Sequence, residues 1–194
     1  MSEIEGMMKV YARDCMSKAV VNIGSDDVQT FEGLLALNVH MSAEDVVQCG
    51  ACNHLFAELA VNKFLQQKEQ TITDDDVTVL GRYNYSFGLM ALKVYTSSMV
   101  PSSSSIHKFA SARKELARQA FQVLLAKPEY ITVTDVLRLR HLNYVWGRQA
   151  FDALFVEKSH KGIRLTVDDV VLLNDADAKW GRKAQRLSIG RWVQ

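Results

Sequence analysis

The stretch ITVTDVLRLRHLNYVWGRQA, residues 131–150, carries a pattern that recurs at three other places in the chain. The pattern begins with an apolar residue, then Ser or Thr, two variable residues, Asp and Val. An aromatic residue follows ten positions after the Val, a small residue eleven positions after it and an Ala fourteen positions after it. The four copies begin at residues 41, 72, 131 and 165, with MSAEDV, ITDDDV, ITVTDV and LTVDDV.

Each copy predicts the start of an amphipathic helix. The Ser or Thr suits the N-cap position, and the Asp suits the third helical position, where a carboxylate reaches back to the cap and meets the positive end of the helix dipole. The apolar residue before the cap and the Val after it have the spacing of a hydrophobic staple. We therefore expect helices to start within about two residues of positions 43, 74, 133 and 167.

The face that each helix would bury combines large and small side chains. Counted from the Val, positions 0, 3, 7, 10, 11 and 14 share one broad stripe at 100° per residue. Gly or Ala beside an aromatic residue lets a neighbouring helix approach closely while the ring fills the adjacent space. The stripe is therefore expected to pack inward.

The seventh position after each Val is polar, although it lies near the middle of this apolar stripe. We expect these side chains to pair with each other or with backbone groups and to fix the helix register, as a buried Asn does in coiled coils. The alternative is a polar pocket, formed where four helices converge, that holds a small ligand or an ion. The residues concerned are Asn53, Asn84, Asn143 and Asp177.

A longer repeat organises the whole chain. Residues from 31 match residues from 121 at a constant offset of 90, and no strand-like alternation is sustained anywhere. We predict an all-α fold that is a tandem duplication of a three-helix unit, a leading helix plus a helical hairpin, with six to seven helices in total. The expected leading helices are one of roughly residues 106–127 in the second half, and two in the first half, near 3–21 and 26–38.

The duplication also sets the expected domain boundaries. Residues 1–97 form an acidic first repeat with an extra N-terminal helix, residues 98–105 form a linker, and residues 106–194 form a basic second repeat. The linker is inferred from the serines and the proline of its sequence.

The sequence CGACNH at 49–54 has a spacing that can supply two zinc ligands or a redox pair. No second Cys pair accompanies it, and the positions equivalent to Cys49 and Cys52 in the second half are Leu139 and Leu142. We expect both thiols to act as small buried side chains. No metal and no cofactor is predicted, since the sequence contains no P-loop, dinucleotide fingerprint or nucleophile elbow.

The charge of the chain is divided between its halves. Residues 1–97 hold 7 Lys and Arg against 13 Asp and Glu, whereas residues 98–194 hold 16 against 9. A basic face on the last helix is open to three interpretations: an ordinary solvated face, contacts to nucleic-acid phosphates, or contacts to a protein partner. Its residues are Lys179, Arg182, Lys183, Arg186 and Arg191.

The expected function is that of a non-enzymatic helical interaction or assembly protein: an adaptor, a regulatory binder or a structural component of a larger complex or virus particle. Its partner would be another protein or a second copy, and an acidic half joined to a basic half suits head-to-tail contacts. A nucleic-acid-associated helical protein is the first alternative, and a small-ligand binder or enzyme using the Asn cluster is the second. We expect no membrane partner and a cytoplasmic location, or one within a virus particle, because no long apolar run or signal peptide is present.

Overall fold

The protein is all-α. A computed structural model describes residues 28–36, 40–68 and 71–188, and these residues contain eleven α-helices and no strand. The chain divides into two compact units, Met1–Ser98 and Met99–Gln194. The N-terminal helix predicted near 3–21 lies outside the described residues.

Most of the helices come in pairs whose two members are separated by a single residue. The first unit contains α1 (Val28–Ala36), α2 (Ala43–Cys52), α3 (His54–Gln67), α4 (Asp74–Tyr83) and α5 (Tyr85–Ser98). The second unit contains α6 (Ser103–Ala112), α7 (Lys114–Leu125), a short 3₁₀ turn (Pro128–Tyr130), α8 (Val133–Leu142), α9 (Tyr144–His160), α10 (Val167–Ala176) and α11 (Ala178–Ser188). We call α2–α3, α4–α5, α6–α7, α8–α9 and α10–α11 helix pairs.

All four predicted helix starts are confirmed, at Ala43, Asp74, Val133 and Val167. Each of these helices has a complete capping box, in which the N-cap hydroxyl accepts from the backbone of the Asp and the Asp carboxylate accepts from the backbone of the cap. Local hydrogen bonding between residues three apart therefore defines where the first helix of each pair begins.

The predicted length of these helices is wrong. Each ends after ten residues, and the polar residue at the seventh position after the Val has an extended backbone, for example φ −158° and ψ 120° at Asn143. The next helix begins at the following residue. The described part of the chain consequently holds more helices than the six or seven expected.

The second leading helix differs from expectation for the same reason. The segment predicted as one helix over 106–127 is divided at Arg113, whose backbone is extended as well. Its first helix also starts earlier, because the Ser102 side chain accepts from the Ser105 backbone, so Ser103–Ser105 of the predicted linker are helical. Residues 102–120 are thus a fifth copy of the pattern, with a cap at Ser102, a break at Arg113 and an Ala at 120. The sequence pattern did not reveal this copy, because Leu116 replaces the aromatic residue.

A close contact across the break holds the two helices of a pair together. A Cβ atom added to Gly147 would lie 2.5 Å from both the Cα and the Cβ of Arg140, and one added to Gly181 would lie 2.4 Å from the Cβ of Asn174. Residues seven apart in a continuous helix share a face but lie about 10 Å apart along the axis. The break folds them against each other, which confirms the close approach predicted from the small residues.

Within each unit, consecutive helix pairs stack. The first helices contact one another, α2 with α4 in the first unit, and α6 with α8 and α8 with α10 in the second. The second helices do likewise, α3 with α5, α7 with α9 and α9 with α11.

Aromatic rings pack between the second helices of consecutive pairs. Phe121 of α7 stacks on Trp146 of α9 at 5.0 Å between centroids, and Phe151 of α9 stacks on Trp180 of α11 at 5.1 Å. In the first unit, Phe31 of α1 stacks on Phe56 of α3 at 4.3 Å. The predicted role of the aromatic position in filling space between helices is thus confirmed.

Asp135 connects two neighbouring pairs. Its Oδ2 atom accepts from the Thr132 hydroxyl at 2.7 Å in the capping box, while its Oδ1 atom accepts from the Ser103 hydroxyl at 2.6 Å and the Ser103 backbone N–H at 3.2 Å. Partial burial favours the protonated form, but the hydrogen bonds from Ser103 and Thr132 outweigh it and hold the pKa of Asp135 below its usual value.

We expect Gly147→Ala to destabilise the second unit by about 1–3 kcal/mol, because the new methyl group would overlap the Arg140 backbone. The gain in helix propensity, up to about 1 kcal/mol, only partly offsets this overlap. Urea unfolding followed by circular dichroism measures the change. Gly33→Ala is the matched control: among the described residues, no atom outside its own helix backbone lies within 4 Å of its added Cβ, so this variant should be neutral or slightly more stable. Equal effects of the two substitutions would contradict the close contact.

The Asp135 carboxylate should make the stability of the second unit depend on pH. The pKa of Asp135 is lower in the folded state than in the unfolded state, where it is about 4. Asp135 therefore adds its full share to the free energy of unfolding above about pH 4, and this share is lost as the pH falls through the folded-state pKa. Urea unfolding of the wild type and of Asp135→Asn at a series of acidic pH values tests this, and the variant should lose stability less steeply. Asp169→Asn is the control, since Asp169 has the capping box but no Ser103 equivalent bonded to it. If both variants lost stability equally with falling pH, the Ser103–Asp135 hydrogen bonds would not be the cause of the pH dependence.

Candidate interaction surface

The predicted polar cluster is distributed over the helix breaks, one residue at each. Their side chains cap the second helices: Asn53 Oδ1 accepts from Leu55 N–H at 2.9 Å, Asn84 Oδ1 from Ser86 N–H at 2.8 Å, Asn143 Oδ1 from Val145 N–H at 2.9 Å, and Asp177 Oδ1 from Lys179 N–H at 2.8 Å. The expectation that these residues lie within buried stripes of continuous helices is therefore wrong. An extended residue with a side-chain acceptor ends one helix and starts the next.

Asp177 makes one further contact. Its Oδ2 atom accepts from the Tyr144 hydroxyl at 3.2 Å, and the Tyr144 ring stacks on Trp180 at 6.2 Å. Burial favours the protonated form of Asp177, but the hydrogen bonds from the Lys179 backbone, the Tyr144 hydroxyl and the Trp180 backbone together outweigh it and lower the pKa of Asp177. The carboxylate thus serves as a helix cap and as a joint between adjacent pairs.

A cleft of about 370 Å³ lies beside one of these breaks in the second unit. Its polar side chains are all exposed, and Asn143 Oδ1 is already used by the cap. No buried charged group points into it, so the cleft has little with which to orient a polar ligand. It is lined by His107, Ala110, Ser111, Lys114, Leu142, Asn143 and Trp146.

The two cysteines of the CGACNH motif have different surroundings. Cys49 is buried, which raises the pKa of its thiol to about 12, whereas Cys52 is exposed. His54 pairs with Glu58 at 3.3 Å and stacks on Phe87. The expectation of two buried thiols therefore fits Cys49 alone. Within the described ranges, no three metal-ligating side chains come together.

The predicted basic face is divided by the fold. Lys183 Nζ lies 2.8 Å from Asp152 Oδ1 and 4.5 Å from the centroid of the Phe155 ring, so it attaches α11 to α9. Lys179, Arg182 and Arg186 are exposed. Arg191 lies outside the described residues.

The last helix pair has a side that no other described helix covers. Ser103, the residue at which α6 begins, donates to Asp135 of α8 in the next pair. The starting residue of the first helix in a pair therefore faces the pair that follows it. That first residue is 1% exposed in α2 (Ala43), 2% in α6 (Ser103) and 6% in α8 (Val133), each of which is followed by another pair. In α10 the equivalent residue, Val167, is 75% exposed.

Other apolar side chains continue this uncovered surface. Val171 lies one helical turn after Val167 and is 51% exposed, and Leu172 beside it is also exposed. The signal for them was present in the sequence as VDDVVLL, but an apolar run in an amphipathic helix does not reveal which of its residues a neighbour covers.

Comparison of the chain with protein-family models, with curated proteins and with solved structures finds no significant match. None of the described helices is both long and apolar enough to cross a lipid bilayer.

We expect Asn143→Ala to destabilise the second unit by about 1 kcal/mol, since the cap of α9 would be lost while the extended backbone is retained. Asn143→Asp keeps an acceptor at the same place and should stay near wild-type stability. Chemical denaturation of both variants provides the measurement. A stable Asn143→Ala protein would show that the side chain does not stabilise the break.

Proposed function

We propose that this chain is a non-enzymatic helical-repeat protein that acts by binding other proteins, as an adaptor, a regulatory binder or a structural component of a larger complex or virus particle. The single observation that carries the proposal is the exposure of Val167 in the last helix pair, at a position that is buried in α2, α6 and α8. A contiguous apolar surface of this kind is typical of an interaction site.

We further propose that the repeat arose by tandem duplication, with its halves at residues 1–97 and 106–194. The aromatic pair Phe31–Phe56 has a counterpart in Phe121–Trp146, displaced by the same 90 positions as the sequence repeat. Stacked repeats bury their faces only against neighbours, and their terminal repeats need either polar caps or partners. An apolar terminal face therefore supports a role in binding.

Nucleic-acid association is a weaker candidate. Lys179, Arg182 and Arg186 could contact phosphates, but Lys183 is paired with Asp152, and the helix beside them, α10, is acidic. Phosphate contacts would also make binding depend steeply on salt.

Photo-crosslinking in the cell that makes the protein tests the proposed function. A photoreactive amino acid at position 167 should crosslink to a protein, identified by mass spectrometry, and nuclease treatment should leave the product unchanged. The same probe at Val156, an exposed residue of α9, is the control and should crosslink much less. Recovery of nucleic acid at position 167, or equal crosslinking at both positions, would refute a protein-binding role for this surface.

A further inference from the structure

The uncovered side of the last helix pair forms a continuous face over two helices. On α10 it contains Val167 and Val171, the counterparts of Val133 and Leu137 in α8. On α11, Trp180 and Lys183 lie against α9, so at 100° per residue the opposite side carries Ala178, Arg182 and Gln185. These three residues are exposed. We call this surface the end face.

The two helices of the end face carry opposite charges. Helix α10 contains three acidic residues and no basic one. Helix α11 contains no acidic residue and exposes Lys179, Arg182 and Arg186, while Lys183 is turned toward Asp152 of α9. Asp175 near the end of α10 and Arg182 near the start of α11 both lie close to the break at Asp177. Asp175 is exposed and, at 100° per residue, lies about 40° around α10 from Val171, so the end face presents a carboxylate on α10 and the Arg182 guanidinium on α11. A surface with one acidic and one basic side is complementary to a rotated copy of itself.

We propose that the end face binds the end face of a second copy of this chain, with a two-fold axis that runs along the helices. Such an axis places α10 of each copy on α11 of the other, so that Asp175 faces Arg182 of the partner subunit and the exposed valines become covered. An arrangement with α10 on α10 would instead oppose acidic residues. The inference rests on the proposed protein-binding function and specifies its partner.

The dimer should be reversible. Helices of ten and eleven residues are about 15–17 Å long, and the face that they form is smaller than a standard interface. We expect dissociation in the micromolar range and weaker association at high salt, since Asp175 and Arg182 are exposed and salt screens the attraction between exposed charges.

Sedimentation analysis of the purified full chain over a range of concentrations tests the proposal. The wild type should change from the chain mass of 21.8 kDa to twice that value. Arg182→Glu alone and Asp175→Arg alone should each raise the dissociation constant at least about tenfold, because each places like charges in contact twice per dimer. The double variant should restore dimerisation, and Val156→Glu is the control that should leave it unchanged.

Circular dichroism of each variant shows whether it folds, and the double variant keeps the test valid even if one single variant does not. A chain that stays monomeric, one that grows beyond a dimer as head-to-tail contacts would, or a dimer that is indifferent to both charge reversals would overturn the proposal. A monomer whose position 167 still crosslinks to a different protein would overturn the two-fold dimer and leave the proposed function intact.

Discussion

The close contact between a glycine of the second helix and the preceding helix, across the helix break, is the constraint on which the rest of the structure depends, and the pairs α8–α9 and α10–α11 show it. Gly147 against Arg140 and Gly181 against Asn174 allow two short helices to approach so closely that a single extended residue can connect them. A helix of ten residues is marginal by itself in water. Its stability must come from the partner helix, and the close approach buries the apolar stripe that both helices share.

Stacking of the pairs follows from this arrangement. Once two helices are folded together, each pair has an upper and a lower side that must be covered, and the next pair along the chain covers one of them. Aromatic stacking between second helices and the Ser103–Asp135 bond between first helices fix how two successive pairs meet. The same geometry leaves the α10–α11 pair with one side that no described helix covers, and that side carries Val167 and Val171.

The polar residues at the breaks have a different role from the one that their sequence positions predict. Asn143 is polar within an apolar periodicity, which suggested a buried register device. It is instead exposed, and its side chain replaces the backbone partner that the start of α9 lacks. Arg113 occupies the same position in α6–α7 without a side-chain cap, so the Asn stabilises the break but is not required for it.

The sequence by itself determined the helix class and the starts of four helices, because a capping box acts between residues only three apart and needs no tertiary contact. It also contained the residues of the end face, though not their exposure. The tertiary structure alone decided where the helices break and which surface stays uncovered. Residues seven apart lie on one face of a continuous helix and also face each other across a folded pair, so periodicity cannot distinguish the two arrangements. The choice depends on burial against the neighbouring helix, and that is a property of the folded chain.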